Sequence, residues 1–331
     1  MKALRLICVC LLFLTACSRN PVTGSYNLNF YSDEDEMKMG AEYHPELVKE
    51  YGEYKNPDLH AYIQDIVTRL GDVSHRPNLE YRLTLLDTPE INAFAIPGGY
   101  VYVCRGLLAY ANSEAELAGV IGHEIGHVTA RHSVQQMSNS KGFSLGLALA
   151  SIFFFWDDKN KQQTAYDVGT FAGGLAMLSY SREDEMESDR LGIEYSHKAG
   201  FSPLGVGRIM TMFERLGGSK SNETIATVLS THPASETRTK QARIEVRKLE
   251  EQGIINNNLE RERYLNKING LNVAAKDKPV QPLQIYTVQK GDTWASLTNK
   301  YFNNTDPTRL AWFNDCELND PLPARIKLGL F

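Results

Sequence analysis

The sequence predicts an α+β protein that is mainly α, and three observations lead to this prediction. Residues 113–132 place apolar side chains at the three-to-four-residue spacing of an amphipathic helix. Residues 79–103 alternate apolar and polar positions in short runs around a Pro-Gly-Gly turn, as a small sheet does. Residues 272–284 are polar and contain prolines, and they precede a last short unit at 285–331. We expect one large domain, with a small sheet beside a central helix, and a second small domain.

Composition bounds the class of protein. The chain has 331 residues, 42% of them hydrophobic, and a formal net charge of −5. This length and apolar content can fill a substantial core. Because the chain is mildly acidic and has no prominent basic tract, the composition argues against nucleic acid as a partner.

The N-terminus has the pattern of a targeting segment. A short basic region at Lys2 and Arg5 is followed by an apolar run that ends just before Cys17. Residues 1–16 therefore resemble a bacterial lipoprotein signal peptide, in which Cys17 becomes the lipidated first residue of the mature chain. Because Ser18 rather than Asp follows, the resemblance implies the outer membrane of a Gram-negative bacterium, facing the periplasm. The alternative, an uncleaved anchor, would need about 20 apolar residues to span a bilayer, and the run is shorter.

Cap signals define the helices before the sheet. Ser32, followed by four acidic residues, begins a helix that extends to about Glu50. Asn56 and the proline after it begin a second helix, which Gly71 ends. The stretch 20–30 ahead of them is expected to be extended. Immediately before the central helix, strands are predicted at 79–86, 91–97 and 100–103.

The central helix carries the residues of a metal site. Ser113 and Glu116 form a capping box at its start. His123 and His127 are four residues apart, so their imidazoles project from the same side of the helix and can chelate zinc. Glu124 lies beside them, where it can take a proton from an attacking water. The alternative interpretation is a buried helix with incidental histidines.

Three glycines in the same helix, Gly119, Gly122 and Gly126, each weaken it by about 1 kcal/mol relative to alanine. Their clustering predicts that another backbone or a substrate approaches the helix closely.

Two apolar runs follow, at 143–156 and 168–180. We expect a buried helical hairpin over the active-site helix. The alternative is a membrane-facing or lid-like hairpin that a tethered lipoprotein could present to an outer-membrane client. Further helices are predicted at 181–198, 201–216, 235–251 and 261–270.

A third metal ligand must come from elsewhere, because two histidines leave zinc short of protein ligands. Ser181 and Asp184 form a helix cap, and Glu185 and Asp189 then share one helix face. Glu185 would bind the zinc, and Asp189 would accept the second N–H of a ligand imidazole. The alternative is that these acids form a solvated face.

Four motifs occur in the order found in one family of zinc peptidases. They are NAFAIPGG at 92–99, HEIGH at 123–127, SREDEMESD at 181–189 and THP at 231–233. Over about 20–271 the chain resembles the zinc metallopeptidase family that includes HtpX, the type I CAAX prenyl protease and the periplasmic protease BepA. The resemblance implies a zincin-type metallopeptidase domain, assigned to 17–271, with one Zn²⁺ per chain.

The resemblance also implies roles for particular residues. His123 and His127 are matched by zinc ligands, as is Glu185, and Asp189 by the residue that orients a ligand imidazole. Glu124 and His232 are the catalytic residues, and His232 either reaches the metal as a fourth ligand or stabilises the oxyanion. Arg238 matches an arginine that organises the loop around His232.

The family adds the substrate as a strand along the edge formed by Asn92, Ala93, Phe94 and Ala95. Such binding recognises mainly the backbone of the substrate, so cleavage would favour extended or unfolded clients. If His232 occupies the metal at rest, the enzyme is self-inhibited until its loop moves.

Other histidines and cysteines give weaker signals. His132 lies five residues after His127, and we expect it to face away from the metal, at the surface or as a cap.

After processing, Cys104 and Cys316 remain besides Cys17. They fall in different predicted domains, which argues against a disulfide between them.

Residues 285–331 resemble a LysM module, a βααβ unit, after a linker at 272–284. The Gly-Asp turn is followed by a helix with Trp294, Leu297 and Tyr301 at core spacing. LysM modules bind N-acetylglucosamine-containing glycans, so the resemblance implies peptidoglycan as a second partner.

Taken together, the sequence favours an outer-membrane zinc endopeptidase that hydrolyses misfolded or unassembled envelope proteins. One alternative is a mostly latent protease that acts as a chaperone or assembly factor for outer-membrane proteins. A third is a peptidoglycan-tethered scaffold with a degenerate metal site, which the intact ligand pattern disfavours.

Overall fold

Helices dominate the computed structural model, which describes residues 17–140, 180–217, 232, 235–253, 255–274, 279, 281–302 and 305–329. The named helices are α1 Asp33–Tyr51, α2 Pro57–Asp72, α3 Arg105–Tyr110, α4 Glu114–Ala130, α5 Arg182–Lys198, α6 Leu204–Gly217, α7 Glu236–Glu251, α8 Arg261–Ile268, α9 Trp294–Tyr301 and α10 Pro307–Phe313. The strands are β1 Cys17–Arg19, β2 Tyr26–Leu28, β3 Arg82–Leu86, β4 Ala93–Ile96, β5 Tyr100–Cys104, β6 Gln284–Thr287 and β7 Arg325–Leu328. The predicted class, α+β and mainly α, is confirmed.

The first two helices begin where their caps predict. The Ser32 hydroxyl accepts a hydrogen bond from the backbone N–H of Asp35, and Asp35 bonds back to Ser32. The Asn56 side chain accepts from the backbone N–H of Leu59, next to a proline that has no N–H to satisfy. The ends at Tyr51 and Asp72 lie one residue beyond the predicted ones.

The three predicted strands form one sheet in the order β3–β5–β4. β3 pairs with β5 in parallel, with Leu83 opposite Val101, and β4 pairs with β5 antiparallel, with Ala93 opposite Val103. Within the part of the chain that the structure describes, β4 is therefore an edge strand, and it packs against α4.

Helix α4 lies at the centre of the large domain, and every residue from Glu114 to Ala130 is buried. Its glycines let other backbones approach. A Cβ built on Gly119 would lie 2.9 Å from the backbone nitrogen of Val206 in α6, and one on Gly122 would lie 3.2 Å from the Cα of Gly192 in α5. The close approach predicted from the glycine cluster is confirmed, and it is made by two neighbouring helices.

The last unit has the order β6–α9–α10–β7, with β6 and β7 paired antiparallel. It has its own apolar cluster, which includes Trp294, Leu297 and Leu310. It also packs on the large domain, because the buried Lys327 Nζ donates to the carbonyl oxygens of Ala109 and Tyr110 at 2.8 Å and of Ala111 at 3.0 Å.

The targeting segment 1–16 and most of the apolar hairpin 143–180 lie outside the described residues, so both interpretations stay predictions. Within the described ranges, no helix is both long and apolar enough to cross a membrane. Cys104 and Cys316 are free thiols in the structure, which the sequence had left open.

Candidate metal centre

The two histidines of α4 converge on one point. His123 and His127 stand on consecutive turns of the helix, and their Nε2 atoms lie 3.0 Å apart. His123 is 8% exposed and His127 is 2% exposed, so both imidazoles are buried in the protein.

The hydrogen bonds of the other ring nitrogens decide which atoms face this point. Nδ1 of His123 lies 2.9 Å from Oδ1 of Asp189, and Nδ1 of His127 lies 2.9 Å from Nδ1 of His132. With both Nδ1 atoms engaged elsewhere, the two Nε2 atoms present lone pairs to the same space. Two facing lone pairs repel each other unless a cation lies between them, so these residues fit a metal ion.

Helix α5 and the segment at 232 supply the remaining donors. Oε1 of Glu185 lies 3.3 Å from Nε2 of His127 and 2.8 Å from Nδ1 of His232. One ligand atom from each of His123, His127, Glu185 and His232 lies within 4.8 Å of the others. Three imidazoles and one carboxylate are a donor set that suits Zn²⁺.

The ionisation states of the buried groups favour metal binding. Burial lowers the pKa of His127 well below its ordinary value of 6.5, so this imidazole is neutral at pH 7. Burial alone would raise the pKa of Glu185, but the adjacent imidazoles of His127, His232 and His123 outweigh it and hold that pKa far below 4.5. The centre therefore offers a neutral imidazole and a carboxylate before any cation enters.

Arg238, at the start of α7, fixes the acidic side of the centre. Its Nε and Nη2 each lie 2.7 Å from an oxygen of Asp189, and its Nη1 lies 2.6 Å from Oε2 of Glu185. Although burial favours the protonated form of Asp189, Arg238 and His123 outweigh it and lower the pKa of Asp189. Asp189 is thus an ionised acceptor for the His123 N–H.

Glu124 lies at the same centre but contacts different groups. It is 3% exposed, and its carboxylate accepts a hydrogen bond from the backbone N–H of Ala95 in the edge strand β4. Nε2 of His232 lies 3.7 Å from its Oε1. Burial raises the pKa of Glu124 above 4.5, which makes it a stronger base than an exposed carboxylate.

A largely apolar cavity opens beside these groups, between α4, α6 and the edge strand. It encloses about 580 Å³, including space open to solvent. Its apolar wall comes from α4 and α6. The side chains of that wall are Val120, Val206, Ile209, Met210 and Phe213.

The four residues predicted to bind substrate, Asn92 just before β4 and three within it, differ in position. Ala93 lines the cavity, and Ala95 bonds Glu124. Phe94 points to the other face of the sheet, where its ring stacks on Tyr102 with centroids 4.8 Å apart. Asn92 is buried, and its side-chain oxygen has no hydrogen-bond partner among the described residues.

The prediction for His132 was wrong. This residue is 5% exposed, and its Nδ1 contacts His127 instead of facing solvent. Arg131 ends α4 in the left-handed conformation, with φ of 61°, and this turn directs His132 back toward the helix. Helical spacing could not reveal the contact, because the helix stops before His132.

Tyr180 was also missed. Its ring stacks on His127 with centroids 3.9 Å apart, and its hydroxyl lies 2.7 Å from the Ser133 hydroxyl. A tyrosine directly before the cap of α5 gave no signal of this role in the sequence.

Comparison with known proteins agrees with this geometry. Residues 55–246 match Peptidase family M48. The chain is 30% identical over 235 residues to the mitochondrial metalloendopeptidase OMA1 of Schizosaccharomyces pombe, covering 70% of this chain and 65% of that protein. It is 32% identical over 213 residues to the beta-barrel assembly-enhancing protease of Escherichia coli, covering 63% of this chain and 43% of that protein.

A putative beta-barrel assembly-enhancing protease of Vibrio cholerae is 28% identical over 324 residues, which cover 91% of this chain and 66% of that protein. The chain thus spans about two thirds or less of the length of these relatives. The family match extends over more than half of the chain and includes both histidines of α4 as well as Glu185 and Asp189 of α5. The chain therefore belongs to Peptidase family M48, a family of zinc metallopeptidases.

Proposed function

We propose that this chain is a zinc-dependent endopeptidase that hydrolyses misfolded or unassembled envelope proteins. The observation that carries the proposal is the convergence of His123, His127 and Glu185 beside the buried base Glu124. This arrangement provides a metal position and a proton acceptor at the mouth of one cavity.

The chemistry divides between the metal and the protein. Zinc, when bound by His123, His127 and Glu185, polarises the peptide carbonyl and lowers the pKa of water. Glu124 takes the proton of the attacking water and then gives it to the leaving amine. His232, close to both Glu124 and Glu185, donates a hydrogen bond to the oxygen on which negative charge develops.

The cavity and the edge strand support an extended substrate. Among the described residues, nothing pairs with the outer edge of β4, along which a peptide can add as a further strand. We place the substrate backbone along Asn92, Ala93, Phe94 and Ala95, with a large apolar side chain of the substrate in the cavity. Folded proteins do not expose such segments, so unfolded clients are preferred.

We further propose that the protein is an outer-membrane lipoprotein facing the periplasm, anchored through lipid on Cys17. Support comes from the signal pattern of residues 1–16 and from the relatives named for beta-barrel assembly. Clients that fail to assemble in the outer membrane would then be within reach of the site.

A second candidate is a mostly latent protease that acts as an assembly factor. It is favoured by His232, whose Nδ1 is only 2.8 Å from Glu185 within the ligand cluster. A histidine in this position would occupy the coordination site that substrate requires, until its loop moves.

The C-terminal unit supports a tether to peptidoglycan. The βααβ order is that of a LysM module, and a groove of about 1060 Å³, including space open to solvent, lies between the start of α9 and the loop after α10. Its walls include Thr293, Leu318 and Pro321. We propose that an N-acetylglucosamine-containing glycan binds there.

Two measurements test the proposed function in wild type, Glu124→Gln and His232→Ala. They are the zinc content and the cleavage of casein and of an unfolded outer-membrane protein. We expect about one zinc per chain in wild type and Glu124→Gln, and cleavage reduced at least about 100-fold by Glu124→Gln. Glu183→Gln, an exposed acid of α5, is the control and should cleave like wild type.

Increased cleavage by His232→Ala would favour the latent form, and reduced cleavage would favour oxyanion stabilisation. Full zinc without cleavage in any protein would contradict the peptidase and favour the assembly factor. Absence of zinc from the wild type would contradict both.

A further inference from the structure

His132 and Glu187 form a chain of hydrogen bonds behind His127. Nδ1 of His132 lies 2.9 Å from Nδ1 of His127, and Nε2 of His132 lies 3.1 Å from Oε2 of Glu187. Asp184 lies slightly further from the same Nε2, at 3.4 Å. His132 is 5% exposed, so its contacts are made mainly with these protein groups.

With neutral rings, one placement of protons satisfies both contacts of His132 and leaves Nε2 of His127 free for a metal. Nε2 of His127 faces His123 and Glu185, so its lone pair is the one available to a metal, and the proton of His127 lies on Nδ1. That N–H donates to Nδ1 of His132, which must carry a lone pair. The proton of His132 then lies on Nε2 and is donated to Glu187.

Two further contacts fit this placement. The hydroxyl of Ser188 lies 3.4 Å from Nδ1 of His132, a longer and weaker contact with an acceptor nitrogen that the His127 N–H already occupies. Tyr180 stacks on the face of His127 and thereby fixes the plane of the ring. The proton position and the ring plane of His127 are set by different neighbours.

The two ligand histidines are therefore held differently. Asp189 accepts directly from His123, whereas His127 reaches the carboxylate of Glu187 through a second imidazole. We propose that His132 is a positioning residue that, together with Glu187, holds the metal-binding tautomer of His127. This inference rests on the proposed metal binding and extends it to residues outside the ligand set.

The first test is zinc affinity, measured by competition with a chromophoric chelator. His132→Leu, which cannot accept from His127, should weaken zinc binding by about 10–100-fold. His132→Gln should restore most of the affinity, because its amide oxygen can accept and its amide nitrogen can donate. A purely space-filling role predicts that Leu and Gln behave alike, and this outcome would overturn the proposal.

The second test is a double-mutant cycle between His132 and Glu187. Glu187→Leu should weaken zinc binding in the wild-type background. It should have little effect in the His132→Leu background, because the hydrogen bonds from His127 to Glu187 are already broken there. Equal effects in both backgrounds would overturn the proposal. Glu187 is partly exposed, so this variant remains informative if His132→Leu folds poorly.

The spectrum of the cobalt-substituted protein adds a readout that does not depend on cleavage. We expect His132→Leu to change the visible absorption of bound Co²⁺ and Glu183→Gln to leave it unchanged. Wild type that binds neither zinc nor cobalt would contradict the proposed metal site itself. Wild type that binds both, with His132→Leu unaltered, would contradict only the role of His132.

Discussion

Gly122 in α4 lies directly against Gly192 in α5, and a Cβ built on Gly122 would come within 3.2 Å of the Gly192 Cα. At Gly192 an added Cβ would lie 3.0 Å from the backbone nitrogen of His123. This backbone contact brings α5 close enough for Glu185 and Asp189 to reach the histidines of α4. The geometry of the metal centre therefore depends on two residues that carry no side chain.

Gly122→Val should displace α5 and separate Glu185 from the histidines. We expect the free energy of unfolding to fall by about 1–3 kcal/mol and zinc affinity to fall by at least tenfold. Denaturant titration and chelator competition measure the two effects. Gly207→Ala in α6 is the matched control, because no described atom outside its own stretch of helix lies within 4 Å of its added Cβ, and it should be neutral or slightly stabilising. Unchanged zinc affinity in Gly122→Val would contradict the role of the contact.

Phe213→Ala should remove part of the apolar wall of the cavity. We expect kcat/KM to fall about tenfold for peptides with Phe or Leu beside the scissile bond, and to change little for peptides with Ala there. A peptide series with one varied position measures this preference. Met37→Ala, at an exposed position on α1, serves as the control. A uniform loss for all peptides would show that Phe213 supports the fold instead of selecting substrate.

Lys327→Met should weaken the attachment of the C-terminal unit to the large domain. The substitution removes the buried Lys327 Nζ, which donates to the carbonyl oxygens of Ala109, Tyr110 and Ala111. We expect the free energy of unfolding to fall by about 2–4 kcal/mol and limited proteolysis between the units to become faster. Lys300→Met, at an exposed position of α9, should change neither. Equal proteolysis of the two variants would contradict the prediction.

The raised pKa of Glu116 predicts that the free energy of unfolding depends on pH. Burial and the nearby Asp315 carboxylate raise the pKa of Glu116 from 4.5 to about 7. Because the folded chain holds this proton more tightly than the unfolded chain, the stabilisation is complete below pH 4.5 and is lost as the pH rises toward 7. Denaturant titrations at pH 5 and pH 8 should therefore differ less for Glu116→Gln than for wild type. The same difference in both proteins would contradict the raised pKa.

Local features were predictable from the sequence because they depend on neighbours in the chain. Ser32, Asn56, Ser113 and Ser181 all cap the helices that they were predicted to begin. The glycine cluster of α4 also predicted a close approach, although it could not say that Gly192 makes it.

The contacts of His132 and Lys327 could not be predicted in the same way. His132 reaches His127 because one left-handed residue ends the helix, and Lys327 reaches carbonyl oxygens more than 200 positions earlier in the chain. Neither contact follows from a periodic pattern, since each depends on how separate elements are placed in space.

By itself, the sequence determined the helical character, the family and the side chains offered to a metal. The spacing of His123, Glu124 and His127 on one helix fixes their directions, since an α-helix has a constant rise and turn per residue. Only the tertiary structure decided which donors meet, because α5 must cross α4 at the glycines before Glu185 comes within 3.3 Å of His127. It also decided that His132 faces the centre, since a single backbone turn determines that direction.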